Sequence, residues 1–193
     1  MSYIPEIANP PRPTTLAAAW LIEIIAAGDL TIDATAGNGH DTLFLAETVG
    51  PEGKVLAFDV QEAAIVSTRA RIETAGYGGR VDFFQESHAT MAEHAAEGSV
   101  TAVMFNLGYL PGADHAVATG DDTLTALEAA VRLIKNGGAL SVVCYPGHEG
   151  GDSEAVKVEA WMAALPERGW RVLRYGAIGT RKPAPFLLFA VKG

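Results

Sequence analysis

Thr31-Ile-Asp-Ala-Thr-Ala-Gly-Asn-Gly-His-Asp-Thr42 places two glycines, two aspartates, an asparagine and a histidine where a β-like apolar run passes into a helical one. Glycines at such a turn let the backbone approach a ligand closely. Gly37 and Gly39 supply the first half of a G-x-G-x-x-G pattern, but its third glycine position is Thr42. That glycine serves helix–strand packing around a pyrophosphate, so its loss argues against a dinucleotide. Asp33, Asn38 and the turn amides offer acceptors for an ammonium and donors for a carboxylate, the two charged ends of an amino acid. A tight turn without a ligand is the bland reading of these residues, and Asp41 and His40 extend the polar set beyond what a turn needs. The next β-like run ends Ala57-Phe-Asp-Val-Gln61, with Asp59 20 residues after Gly39. A carboxylate there accepts both hydroxyls of a ribose. An amino acid joined to an adenosine is S-adenosylmethionine (AdoMet), and Gln61 stands at the same edge to help hold its ribose or adenine.

Three later segments carry further polar groups at the ends of β-like runs. Ser87 and His88 follow the third run, where an adenine would be stacked and hydrogen-bonded; Ser87 reads equally well as a helix cap. The fourth run opens into Asn106-Leu-Gly-Tyr-Leu-Pro-Gly112. This resembles in part the Asn-Pro-Pro-Tyr motif of amino-group methyltransferases, in which the asparagine and adjacent carbonyls accept hydrogen bonds from the target amine; Gly108 takes the second proline position. Asn106 and the Leu107 carbonyl would then hold a neutral amine in line for displacement, with Tyr109 beside it. His148 and Glu149, in the glycine loop after the fifth run, would touch substrate or accept a proton. Cys144 lies in an apolar run and reads as a core residue, and the histidines at 40, 88, 94, 115 and 148 lack zinc-ligand spacing.

The elements that must position these residues alternate. β-like runs at Leu30–Ala34, Lys54–Asp59, Val81–Gln85, Val100–Asn106 and Leu140–Tyr145 are separated by helical patterns at Asp41–Thr48, Glu62–Thr74, Thr90–Ala96 and the face Leu124, Leu127, Val131, Ile134, which Asn136-Gly-Gly138 breaks. A first helix, capped by Thr14 or Thr15 and ended by Gly28, precedes them; Val158, Trp161, Met162 and Leu165 mark another. This pattern predicts an α/β fold with a parallel sheet covered by helices on both faces. Trp170–Tyr175 and Phe186–Val191 follow with no helix between them, so they predict an antiparallel hairpin. The result is a seven-stranded, mostly parallel sheet with an antiparallel last strand. A nicotinamide-type Rossmann domain does not normally finish that way, whereas class I AdoMet methyltransferases do.

At 193 residues, 49% apolar and 19% charged, the chain suits one domain over residues 1–193, with residues 1–28 as a leader and helix. The longest apolar stretch, Leu16 to Ala27, contains Glu23 and is too short to span a membrane, and Met1 to Pro13 lacks the pattern of a signal peptide. A cytoplasmic protein with no membrane partner is expected. A net charge of −9 argues against a broad grip on nucleic acid, yet five of the 14 basic residues fall between 168 and 182.

On three segments, Asp33-Ala-Thr-Ala-Gly-Asn-Gly-His-Asp-Thr42, Asn106-Leu-Gly-Tyr-Leu-Pro-Gly112 and Tyr145-Pro-Gly-His-Glu-Gly-Gly151, the chain resembles the YtqB-like family of small bacterial class I methyltransferases, also named MnmM. The resemblance covers nearly the whole chain; Lys182-Pro-Ala-Pro185 departs from the family's Asn-Pro-Pro-like stretch. It implies AdoMet as cofactor, held by Asn38, His40, Asp59, Gln61, Ser87 and His88. It also implies a tRNA substrate, engaged at its anticodon region and N-methylated on the aminomethyl group of the wobble uridine. The residues alone leave open a small-molecule N- or O-methyltransferase, another RNA methylase, an NAD-binding oxidoreductase, or a degenerate fold used for binding. A twofold homodimer would widen an RNA footprint, and Trp161, Trp170 and Tyr175 of the C-terminal half belong either to such a face or to the core.

Overall fold

The computed structural model describes residues 10–108, 120–147 and 150–193. Seven strands, β1 (Leu30–Asp33), β2 (Lys54–Phe58), β3 (Val81–Phe84), β4 (Val100–Leu107), β5 (Ile134–Cys144), β6 (Trp170–Gly176) and β7 (Phe186–Lys192), form a single sheet. Its order is β3-β2-β1-β4-β5-β7-β6. The first five strands run parallel, and β7 lies antiparallel between β5 and β6. The expected terminal hairpin is therefore present. The composition of the two strands explains why β7 takes the inner place: Phe186 to Ala190 are all buried, whereas β6 exposes Arg171, Leu173 and Arg174 on the edge. Among the described residues no helix is long and apolar enough to cross a membrane.

Helices α1 (Pro13–Ile22), α2 (His40–Thr48), α3 (Glu62–Thr74), α4 (Gly120–Leu133) and α5 (Gly151–Ala163) cover the sheet. Side chains alternate across β4, so Val103 and Phe105 join Leu127, Val158 and Met162 in one core while Ala102 and Met104 join Leu21, Leu45 and Ile72 in the other. Three local expectations are corrected. Thr14 and Thr15 do not cap α1; Arg12 precedes it and Pro13 opens it, where a missing N–H costs nothing, and the helix ends at Ile22 rather than near Gly28. Ile134 belongs to β5 and not to α4. Asn136-Gly-Gly138 is a bulge inside β5, where the pairing with β4 jumps from Val100↔Ile134 to Ala102↔Ala139. A Cβ on Gly138 would stand 2.6 Å from the Thr101 carbonyl oxygen, so the bulge needs glycine there. Of the aromatics that belong either to a dimer face or to the core, Trp170 is buried, Trp161 Nε1 donates to Glu128 (2.8 Å), and the Tyr175 hydroxyl donates to the Pro11 carbonyl (2.9 Å).

Candidate active site

The strand order reverses between β1 and β4, and ligands of open α/β sheets bind beyond the carboxyl ends of the strands at such a switch point. A cleft of about 930 Å³ opens there. Its wall on the β1 side is the loop Ala34 to Gly39, whose backbone is fixed from three sides. Ala34 N–H donates to the Met104 carbonyl (2.8 Å), Ala36 N–H to the Phe58 carbonyl (2.9 Å), and Gly37 N–H to Asp59 Oδ2 (3.0 Å). From behind, α3 holds the loop through Thr68 Oγ1 donating to the Gly37 carbonyl (3.0 Å) and Arg71 Nε donating to the Asn38 carbonyl (2.7 Å). Neither Thr68 nor Arg71 stands out in the sequence, because each sits inside an ordinary helical run.

Gly37, Asn38, His40, Asp41, Asp59, Gln61, Ser87, His88 and Asn106 all face this cleft. Two other residues assigned to the cofactor do not. Asp33 is fully buried beneath the loop, accepting from Thr42 Oγ1 (2.6 Å) and Thr35 N–H (3.1 Å). Burial and the nearby charges of Asp41 and Asp59 hold its carboxyl well above the usual range. Gly39 starts α2 with a φ of 77°, and a Cβ there would fall 2.9 Å from Thr68 Cα; it is the close-packing point of α2 against α3. Thr42 therefore has a structural partner where a dinucleotide motif would have its third glycine. Tyr109, His115, His148 and Glu149 lie outside the described residues.

Asp59 receives one backbone N–H on each oxygen, from Gly37 and from Gln61 (3.0 Å), which fixes the carboxylate and leaves acceptor capacity on both oxygens. Ser87 caps the short 3-10 helix His88–Glu93 by accepting from Ala89 N–H (3.2 Å), and it also faces the cleft. His88 Nδ1–H donates to the Ala34 carbonyl (3.1 Å), and burial lowers its pKa, so the ring is neutral with Nε2 left as an acceptor. Gly108 admits the Tyr145 ring at 3.1 Å from where its Cβ would be, bringing to the cleft an aromatic that the sequence reading did not single out. Cys144 is buried and its thiol is pushed up to about 12 by that burial, which rules out a thiolate nucleophile at neutral pH.

At the end of β4 the Asn106 main-chain N–H donates to Thr35 Oγ1 (2.7 Å) and its side-chain Nδ2 donates to Asp41 Oδ2. Its Oδ1 is buried and has no partner among the described residues. The rest of the lining is acidic: Asp41, Asp59, Glu86, Asp122 and Glu154 stand against the guanidinium of Arg12. Such a lining repels a pyrophosphate and suits a ligand with a cationic sulfonium and an ammonium against one carboxylate. The fixed Asp59 carboxylate fits its ribose.

The sheet order, the switch-point cleft and this donor set define the architecture of a class I AdoMet-dependent methyltransferase. The model of the family described as "Putative rRNA methylase" matches residues 55–191, and the chain belongs to that family. A Clostridium thermocellum protein of the same description superposes with a TM-score of 0.89 at 34% identity, covering 94% of this chain and 97% of its own. A Streptococcus mutans protein solved in complex with SAH superposes with a TM-score of 0.84 at 33% identity, covering 93% and 97%. Among curated proteins, an Arabidopsis thaliana chloroplastic tRNA (mnm(5)s(2)U34)-methyltransferase is 41% identical over 181 residues, 88% of this chain. The chain spans 65% of that relative's length.

Proposed function

We propose that the protein methylates a primary amine on RNA, namely the 5-aminomethyl group of the wobble uridine (U34) of tRNA, giving 5-methylaminomethyluridine. The observation that carries the amine reading is Asn106 Oδ1, a buried acceptor of a cleft-lining residue that has no partner among the described residues and would receive an N–H. The name of the Arabidopsis relative supports tRNA as the substrate. Bound AdoMet supplies an electrophilic methyl group on a positively charged sulfur. The chain's own groups must present the amine uncharged, because an ammonium has no lone pair. Asn106 Oδ1 takes one N–H, and the Leu107 carbonyl, which already accepts from Tyr145 N–H (3.1 Å), has a second lone pair for the other. Once it carries the methyl group the amine must lose one proton, to water or to His148. Tyr109 and His148 are retained in this proposal as substrate-side groups, Asn38, His40, Asp59, Gln61, Ser87 and His88 as the cofactor's surroundings, and Asp41 as the partner of the Asn106 amide.

A small-molecule amine is the second reading, favoured by the net charge of −9 and the acidic lining. Incubation with labelled AdoMet and, in separate reactions, tRNA bearing aminomethyluridine, rRNA and a metabolite extract decides between them. Label in methylaminomethyluridine after nuclease digestion is the expected result; label confined to rRNA or to metabolites overturns the proposal. Cytoplasmic location and a homodimer that widens the RNA footprint belong to the same proposal, and light scattering that gives the mass of one chain across micromolar concentrations removes the dimer.

A further inference from the structure

An asparagine amide has an accepting end and a donating end, and nothing in Asn106 itself decides which one faces the cleft. Asp41 decides it. The carboxylate comes from the first turn of α2, while Asn106 comes from the end of β4, and the contact between them is Nδ2 donating to Oδ2. Burial raises the pKa of Asp41, while the hydrogen bond from Asn106 and the neighbouring His40 favour its ionised form, and an ionised carboxylate only accepts, so it selects the amide nitrogen and leaves Oδ1, buried and without a partner among the described residues, for another donor. The Asn106 backbone is pinned independently by Thr35 Oγ1, which leaves rotation of the amide as the remaining freedom. We infer that Asp41 is a positioning residue that fixes the polarity of Asn106, so that a neutral acceptor, rather than a carboxylate, meets the substrate amine. This rests on the amine reading above and adds a reason for the pair. A carboxylate facing the amine would stabilise its ammonium form, which cannot react, whereas an amide oxygen receives an N–H without adding a negative charge. Asp41 supplies the orientation through its Oδ2 contact with the Asn106 amide nitrogen.

The inference makes a reciprocal test available. In Asp41→Asn the side chain at 41 donates as readily as it accepts, so both amide orientations of Asn106 become populated and transfer to aminomethylated tRNA falls about tenfold or more. SAH affinity, measured by calorimetry, stays within about twofold of the parent. In the double variant Asp41→Asn with Asn106→Asp the pair is rebuilt with its roles exchanged: the amide at 41 donates to one oxygen at 106, and the other oxygen faces the cleft. Activity returns to at least about tenfold above Asn106→Asp alone, which sets two carboxylates against each other. Because the exchanged pair turns a carboxylate toward the amine, the acid limb of its kcat–pH profile moves to higher pH. The other titratable groups around position 41 are Asp33 below it, His40 beside it, Asp59 beyond β2 and Tyr145 after β5, and all are unchanged in every variant.

Parent-level activity in Asp41→Asn overturns the inference, as does SAH affinity falling in parallel with activity, which would make Asp41 a cofactor contact. A folded double variant no better than Asn106→Asp also overturns it. Should the double variant not fold, Asp41→Asn with its calorimetry remains decisive. An unsubstituted protein that leaves aminomethyluridine unmethylated defeats the amine reading itself, an outcome distinct from all of these.

Discussion

Asp59 ties two needs together, since its carboxylate holds the Gly37 amide of the cofactor loop and keeps acceptor capacity toward the cleft. Asp59→Ala is expected to weaken SAH binding by about 1.5–3 kcal/mol in calorimetry, the scale of charge-assisted hydrogen bonds lost from a partly buried site. Asp33 plays the opposite part, being buried and occupied by Thr42 and Thr35. Its pKa is raised by burial first and by the charge of Asp41 second. Below the ordinary carboxylate pKa both folded and unfolded chains hold its proton, so it has no effect on stability. As pH rises past that value the unfolded chain ionises while the folded one resists, and a penalty on folding grows until the raised folded pKa is passed. Asp33→Asn keeps an acceptor for Thr35 and removes the penalty. Its melting temperature should exceed the parent's by a margin that is absent at acidic pH, widens up to about pH 7 and then levels off; a constant margin refutes the account. The sequence showed Asp33 and Asp59 as two acids at neighbouring strand ends. It could not show that one faces the ligand and the other lies beneath, because that depends on Thr35 and Thr42 closing over Asp33.

Placement of the loop belongs to the elements, and α3 does most of it. Gly39 has a φ of 77° and sits where a Cβ would meet Thr68 Cα at 2.9 Å, so α2 and α3 touch at the loop itself. Gly39→Ala should cost about 1–2 kcal/mol from the left-handed backbone alone, with more from displacing α3, read as a lowered denaturation midpoint. It should also weaken SAH binding, although residue 39 does not face the cleft. If SAH affinity is unchanged, α3 does not control the loop. The bounds of the same helix, Glu62–Thr74, were legible in the sequence, and the structure keeps them. Periodicity reveals a helix and its buried face, but not that Thr68 and Arg71 will reach a loop some 30 residues earlier in the chain. The bulge in β5 was hidden for a related reason. Asn-Gly-Gly reads as a break in any local window, and only the pairing with β4 shows that the strand continues through it.

At the scale of the whole molecule the charge is segregated, and the carboxyl edge of the sheet carries both signs. The cleft is acidic, yet three cations without an ion pair among the described residues lie at that edge. Arg12 lines the cleft and is held there by its neighbour Pro11, whose carbonyl accepts from Tyr175 at the end of β6. Arg181 and Lys182 belong to the β6–β7 loop, which lies at the same edge because Phe186, the first residue of β7, pairs with Cys144, the last of β5. Pro183 of that loop lies 3.6 Å from where a Cβ on Gly147 would be. Among the described residues Arg12, Arg181 and Lys182 form no ion pair, whereas Arg168 and Arg174 are neutralised by Glu128 and Glu159. An RNA that presents one nucleotide to the acidic cleft would thus find its flanking phosphates facing these cations. Arg181→Ala with Lys182→Ala should weaken tRNA binding and raise its KM, with SAH affinity and the rate at saturating tRNA held near the parent's. The plot of log binding constant against log salt should flatten by about 1 to 2, the slope carried by two phosphate contacts. A double variant with unchanged salt dependence would place the RNA on another face, and equal losses in SAH and tRNA binding would mean that the loop supports the cleft rather than the substrate.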